Sequence, residues 1–128
     1  MNKKYVLDSS AIYSLIENLG GKVINIFKDS MTSTLVFYEI GNILWKRKRE
    51  DLTEIFIEVL SFIDVEDVRL NKEIVSLSIK ENLTYYDATF LYLSKKYGIK
   101  LVSDDKDLLR KGAIPSDKIV DTYKDKSV

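Results

Sequence analysis

The feature that most constrains this chain is an alternation. Short apolar runs stop at a polar or acidic residue and give way to segments of helical periodicity. Tyr5-Val6-Leu7 reads as a strand ending at Asp8, with Ser9 or Ser10 placed to cap a helix carrying Ala11, Ile12, Leu15 and Ile16 one turn apart. Gly20-Gly21 stops that helix, and Val23, Ile24 and Phe27 predict a short second one up to Asp29. Met31-Thr32-Ser33 reads as extended. Residues 34–50 are helical in pattern and apolar on most sides, so burial on most sides is expected. Leu52, Ile55, Phe56, Val59, Leu60 and Ile63 mark one clean helical face. A strand follows within residues 65–70, then a helix capped by Asn71 and running past Ile74 and Leu77 to about Asn82. Thr84 caps another, which ends at Gly98. Residues 99–102 predict a strand, residues 104–111 a short helix closed by Gly112, and Lys118-Ile119-Val120 a last strand.

Strands alternating with helices predict an α/β fold with a mainly parallel sheet covered by helices, here as a single domain over residues 1–128. Ligands of such sheets bind beyond the carboxyl ends of the strands. Asp8 follows the first strand directly, and Asp104-Asp105 follows the strand at 99–102, so parallel strands would put these acids on one rim.

Composition narrows the chemistry. The chain has no histidine and no cysteine, which excludes disulfides, thiolate nucleophiles, Cys/His zinc sites and any histidine-based triad. What remains is carboxylates, hydroxyls, lysines, arginines or a bound cofactor, and carboxylates suit hard cations such as Mg²⁺ or Mn²⁺. Lys+Arg and Asp+Glu are each 20, so there is no global basic surface for nucleic acid, although a local patch is open. No apolar run is long enough to span a membrane, no signal peptide follows Lys3-Lys4, and a cysteine-free chain suits a reducing, cytoplasmic location.

Four acids stand out: Asp8, Glu39, Asp87 and Asp105. Asp8 and Asp105 could be plain helix N-terminal acids, and Asp87 sits three residues after Thr84 as in a capping box. Glu39 is the only charge in residues 35–44, so it must reach water or find a partner. Asn42 shares its face. Carboxylates ~4 Å apart repel by about 4 kcal/mol at an effective dielectric of ~20. A converging cluster therefore holds protons or binds a divalent cation, and a cation-bound water can attack phosphorus. The chemistry this favours is phosphodiester hydrolysis without histidine.

The phrases Val6-Leu7-Asp8-Ser9-Ser10-Ala11, Thr32-Ser33-Thr34-Leu35-Val36-Phe37-Tyr38-Glu39-Ile40, Tyr86-Asp87-Ala88-Thr89-Phe90-Leu91 and Leu101-Val102-Ser103-Asp104-Asp105-Lys106-Asp107-Leu108, in this order and spacing, resemble the PIN-domain nucleases. Within that family the chain is most similar to the VapC-like toxins of toxin–antitoxin pairs. The resemblance implies a three-layer α/β/α sandwich and metal-dependent endoribonuclease activity with Mg²⁺ or Mn²⁺. It also implies an RNA substrate, a small antitoxin partner and a homodimer. It carries Asp8, Glu39 and Asp87 onto the first three acidic positions and points to Asp105, two residues after Ser103, for the fourth. Asp104 and Asp107 could each reach a second metal or only cap the helix. Ser103 stands where threonine is commoner, and Ser9 is a second candidate supporting hydroxyl.

Lys106 and Arg110, four apart beside Asp105, are candidate RNA contacts, as are Lys46 and Arg47 in the one dense basic run, which could equally complement a helix C-terminus. Tyr85 and Tyr86 could stack on bases but are expected to pack. Tyr13, Tyr38 and Trp45 are expected in the core or a dimer interface. Phosphatase and receiver folds also put acids at strand ends, but the first would need an acid at Ser10 and the second an acidic pair at the first strand. Two alternatives keep the same fold: a binding module without turnover, and a housekeeping RNA-processing nuclease.

Overall fold

The structure, a computed structural model, describes residues 2–126. Strands β1 (Tyr5–Leu7), β2 (Ser30–Ser33), β3 (Asp64–Glu66) and β4 (Lys100–Val102) form one sheet in the order β3-β2-β1-β4. Every pairing is parallel, with Leu7 opposite Val102 and Val6 opposite Met31. β1 is therefore central, and successive side chains of a strand face opposite sides. Leu7 and Val102 face a cluster built with α1 (Ser9–Leu19), α2 (Val23–Lys28), α3 (Leu35–Arg47), α4 (Thr53–Leu60) and α8 (Ser116–Lys126). Val6, Met31 and Leu101 face the other side, against Phe90, Leu93 and Leu108 of α6 (Tyr85–Tyr97) and α7 (Lys106–Arg110), with Leu77 of α5 (Lys72–Glu81) behind. The three-layer α/β/α architecture follows from that alternation, since both faces of the central strand are apolar. Val6 and Leu7 are fully buried, each contributing about 1.5–3 kcal/mol of hydrophobic stabilisation.

Several helix ends are set by the expected local signals. Asn71 Oδ1 accepts from the amides of Glu73 and Ile74, and Thr84 Oγ1 from that of Asp87. Gly98 closes α6 at φ +64°, a conformation glycine adopts without a Cβ penalty. At the first helix the cap is neither Ser9 nor Ser10. Asp8 remains extended, and its carboxylate reaches the Ala11 amide, so both serines fall within the first turn.

Two further expectations are corrected. The last strand is instead the first half of α8. Ile119 and Val120 are buried against the α1 side, while Asp117 and Lys118 are exposed. A short apolar pair carries too little periodicity to separate a strand from a helix. The extended residue that joins β4 is Ile114, bridged to Val102. Nor is α3 buried all round: Val36, Ile40 and Leu44 face the core, whereas Phe37, Tyr38 and Trp45 are exposed, the last at 78%. Tyr13 does lie in the core, stacked on Phe56 with ring centroids 5.6 Å apart. Tyr85 is structural, because its hydroxyl donates to the Arg69 carbonyl and accepts from the Asn71 amide, whereas Tyr86 is exposed.

The helical assignment of residues 116–126 has a direct consequence. Ile119→Ala should cost about 2 kcal/mol or more in urea unfolding, and Asp121→Pro about 3 kcal/mol, whereas Lys118→Ala should stay within ~0.5 kcal/mol.

Candidate metal centre

Because the strands are parallel, the segments leaving β1, β2 and β4 emerge at one rim. Asp8 ends β1 and is 4% exposed. Its Oδ1 accepts from the Ala11 amide at 2.9 Å and the Ser10 hydroxyl at 2.8 Å, and its Oδ2 accepts from the Ser103 hydroxyl. The Asp8 carboxyl is pushed up to about 6: burial raises it most, these hydrogen bonds offset part of that rise, and the Asp105 charge adds a smaller upward push.

Glu39 lies one turn into α3. Burial first, then the charges of Asp8, Asp87 and Asp105, push its carboxyl up to about 7, partly offset by the Ser9 hydroxyl. Glu39 Oε1 is buried and has no hydrogen-bond partner. Asp87, in the first turn of α6, is pushed up to about 6 by burial and by Asp105, Asp8 and Asp107. Asp105 caps α7, accepting from the amides of Asp107 and Leu108, and its own amide donates to Ser103 Oγ. Asp87, Asp105 and Asp107 each offer a carboxylate oxygen within 4.8 Å of the others.

Acids from four separate segments thus feel one another's charge. Asp87, Asp105 and Asp107, an all-oxygen set, fit a hard divalent cation; Asp8 and Glu39 lie outside that 4.8 Å group and are tied to it by charge, with the buried Glu39 Oε1 left unpartnered beside them.

Asp104 is directed elsewhere. Its two oxygens accept from the amide and hydroxyl of Ser116, so the structure gives it a capping role at α8. Arg110 is bound to Asp107 at 3.0 Å, and Lys106 is exposed beside them. Lys46 and Arg47 lie by a cleft of about 650 Å³ next to the centre, lined also by Ser10, Tyr13, Glu17 and Asp104. The Arg47 guanidinium is held 4.5 Å above the Tyr13 ring and 3.9 Å from Glu17. Ser10, expected from its sequence position only as a cap, touches both Asp8 and the Asp104 amide. Its position two residues beyond a strand-end acid was the available signal.

A carboxyl whose folded pKa is raised binds its proton more tightly in the folded state. Its stabilising contribution is full below the unfolded value of ~4 and is lost as pH rises through 6 to 7. In chelator, the protein should therefore be more stable at pH 5 than at pH 8. Asp8→Asn, which keeps an acceptor for the Ala11 amide but cannot ionise, should raise the melting temperature at pH 8 and flatten the pH profile. Asp8→Ala should lower it, losing a cap worth ~1 kcal/mol. A wild-type profile flat between pH 5 and 8 would contradict the raised carboxyls.

The PIN domain family profile matches residues 5–114. Among curated proteins, the chain is 34% identical over 123 residues to "Exonuclease VapC9" of Pyrobaculum aerophilum, covering 89% of this chain and 91% of that protein. It is 30% identical over 128 residues to "Ribonuclease VapC3" of the same organism, covering 84% and 94%. Among solved structures, PAE2754 from Pyrobaculum aerophilum superposes with a TM-score of 0.79 at 29% identity, covering 93% of this chain and 95% of that one. With nearly its whole length matched in sequence and in fold, this chain belongs to the PIN domain family.

Proposed function

We propose that this protein is a divalent-metal-dependent endoribonuclease, the toxin of a toxin–antitoxin pair. The observation that carries the proposal is the buried, unpartnered Glu39 Oε1 among carboxyls that burial and mutual repulsion push toward neutrality. Asp8, Glu39, Asp87 and Asp105 would hold Mg²⁺ or Mn²⁺, with Asp107 close enough to join them. When bound, such a cation supplies charge stabilisation at phosphate oxygens and an activated water. The chain's own residues do the positioning. Ser103 and Ser10 aim the Asp8 carboxylate, Ser9 steadies Glu39, and the α7 amides fix Asp105. Lys106, exposed beside Asp107, and Lys46, lining the adjacent cleft, would hold the RNA backbone. Arg110 can do so once it leaves Asp107, a surface ion pair worth little. Arg47, engaged with Tyr13 and Glu17, is placed less freely.

The relatives' names support a nuclease that acts on RNA, though one is named an exonuclease. They also favour an antitoxin partner and a toxin over a housekeeping enzyme. The exposed Phe37, Tyr38 and Trp45 offer α3 as a surface for a second copy or for the antitoxin. Among the described residues no helix is long and apolar enough to cross a membrane, and the cysteine-free chain suits the cytoplasm.

Single-stranded RNA should be cut in Mg²⁺ or Mn²⁺ and spared in chelator. Asp87→Asn should lower the rate on the order of 100-fold or more without loss of fold. A circularised RNA should be opened, as only an endonuclease can do. Binding of RNA with no cleavage under any divalent cation would favour the module without turnover. Degradation of linear but not circular RNA would make the enzyme an exonuclease.

A further inference from the structure

We propose that Ser10, Asp104 and Ser116 form a positioning clamp, through which the seating of helix α8 controls the orientation of the Asp8 carboxylate. The proposal rests on the metal-centre reading above and adds a linkage, from α8 through Asp104 to Ser10, that neither the family match nor the acidic positions assign. Ser10 Oγ donates to Asp8 Oδ1 at 2.8 Å and accepts from the Asp104 amide at 2.9 Å. A hydroxyl has one proton. That proton goes to Asp8 at 2.8 Å, and the amide takes one of the two acceptor lone pairs, so the two bonds together orient the rotor; the Ser103 hydroxyl is a longer contact at 3.4 Å. The Asp104 amide is in turn fixed because its carboxylate takes two bonds from Ser116, from the amide at 2.9 Å and from the hydroxyl at 2.6 Å.

Ser116 is 2% exposed and starts α8, where a carboxylate also complements the helix dipole. The Ser14 hydroxyl on α1 lies 2.9 Å from the Ser116 hydroxyl, and Ile119 and Val120 join the core cluster that includes α1. The continuous path is thus α8, Ser116, Asp104, Ser10, Asp8. The family match ends at residue 114, so the clamp ties an element outside the matched region to the acid at the centre. It also explains why Asp104, adjacent to Asp105, is directed away from the cluster. These are positioning residues, since none of the three is among the proposed metal-holding acids.

The test uses the full chain and a readout separate from activity: thermal-shift titration with Mn²⁺, with circular dichroism to check the fold. Ser10→Ala should weaken apparent Mn²⁺ affinity ~10-fold or more, and Asp104→Ala and Ser116→Ala ~3–10-fold, as expected for groups that orient a ligand from behind. Ser10→Thr and Asp104→Asn, which preserve the hydroxyl and a carbonyl acceptor, should stay close to wild type. On RNA, the alanine variants should lose kcat with KM little changed. If the alanine variants melt lower but bind Mn²⁺ as wild type does, Asp104 merely caps α8 and the clamp is overturned. Loss of Mn²⁺ binding in Asp104→Ala with none in Ser116→Ala would make Asp104 a ligand, which also overturns it. A wild type with no Mn²⁺ response would instead remove the metal-centre reading, and the clamp with it.

Discussion

A carboxylate at the end of a central strand has little water to turn to, and the structure is arranged around satisfying one. β1 lies between β2 and β4, so Asp8 emerges into the space enclosed by its own helix, the start of α3 and the β4–α7 segment. Burying that charge without donors would cost several kcal/mol. It receives one amide and two hydroxyls, drawn from both ends of the chain. The bond from Ser103 spans 95 positions and requires β1 and β4 to be in register. The turn that carries Asp105 is tied to the same bond, because the Asp105 amide donates to Ser103 Oγ, and Asp104 beside it joins Ser10 to the start of α8.

The electrostatics of the rim give burial the leading part. For Asp8, Glu39 and Asp87, desolvation is the first cause of the upward shift and neighbouring acids come after it. A site dry enough to disfavour charge is one where a divalent cation would reverse the balance, because it is the largest local charge available. The structural and functional roles of these acids do not compete. A carboxylate has two oxygens and about four acceptor sites. Asp105 can cap α7 with Oδ1 and leave Oδ2 to the centre. Asp104 is the contrasting case, with both oxygens drawn to Ser116 and none turned to the cluster.

Much of the fold was legible because local signals and long-range packing agreed. Asn71, Thr84 and Gly98 mark helix ends by chemistry that acts within a few residues. Asp8 and Asp105 stood out for a related reason: in a parallel sheet, residues that end strands share a rim whatever lies between them, whereas Asp87 was assigned to the site only by the family resemblance. Glu39 was marked by its isolation in an apolar helix. The failures have equally physical causes. The exposure of Tyr38 and Trp45 depends on which side of α3 meets the sheet, and a helix with apolar residues on several sides does not state its own orientation. Lys118-Ile119-Val120 fits either period, and only contact with the α1 side selects the helix.

Taken alone, the amino-acid sequence determined the class of fold and the class of chemistry. Strand–helix alternation points to a covered parallel sheet, and a chain without histidine or cysteine leaves carboxylates, hydroxyls, lysines, arginines or a bound cofactor. Tertiary structure decided which member of each ambiguous set does what. Asp8, rather than a serine, caps α1, Asp107 joins Asp87 and Asp105, and Asp104 turns to α8. The physical reason is the geometry of adjacent residues. Asp104 and Asp105 differ by one position, but the side chains of neighbouring residues in an extended segment point in opposite directions. One therefore meets the cluster and the other the start of α8, a distinction that depends on what the folded chain has placed on either side.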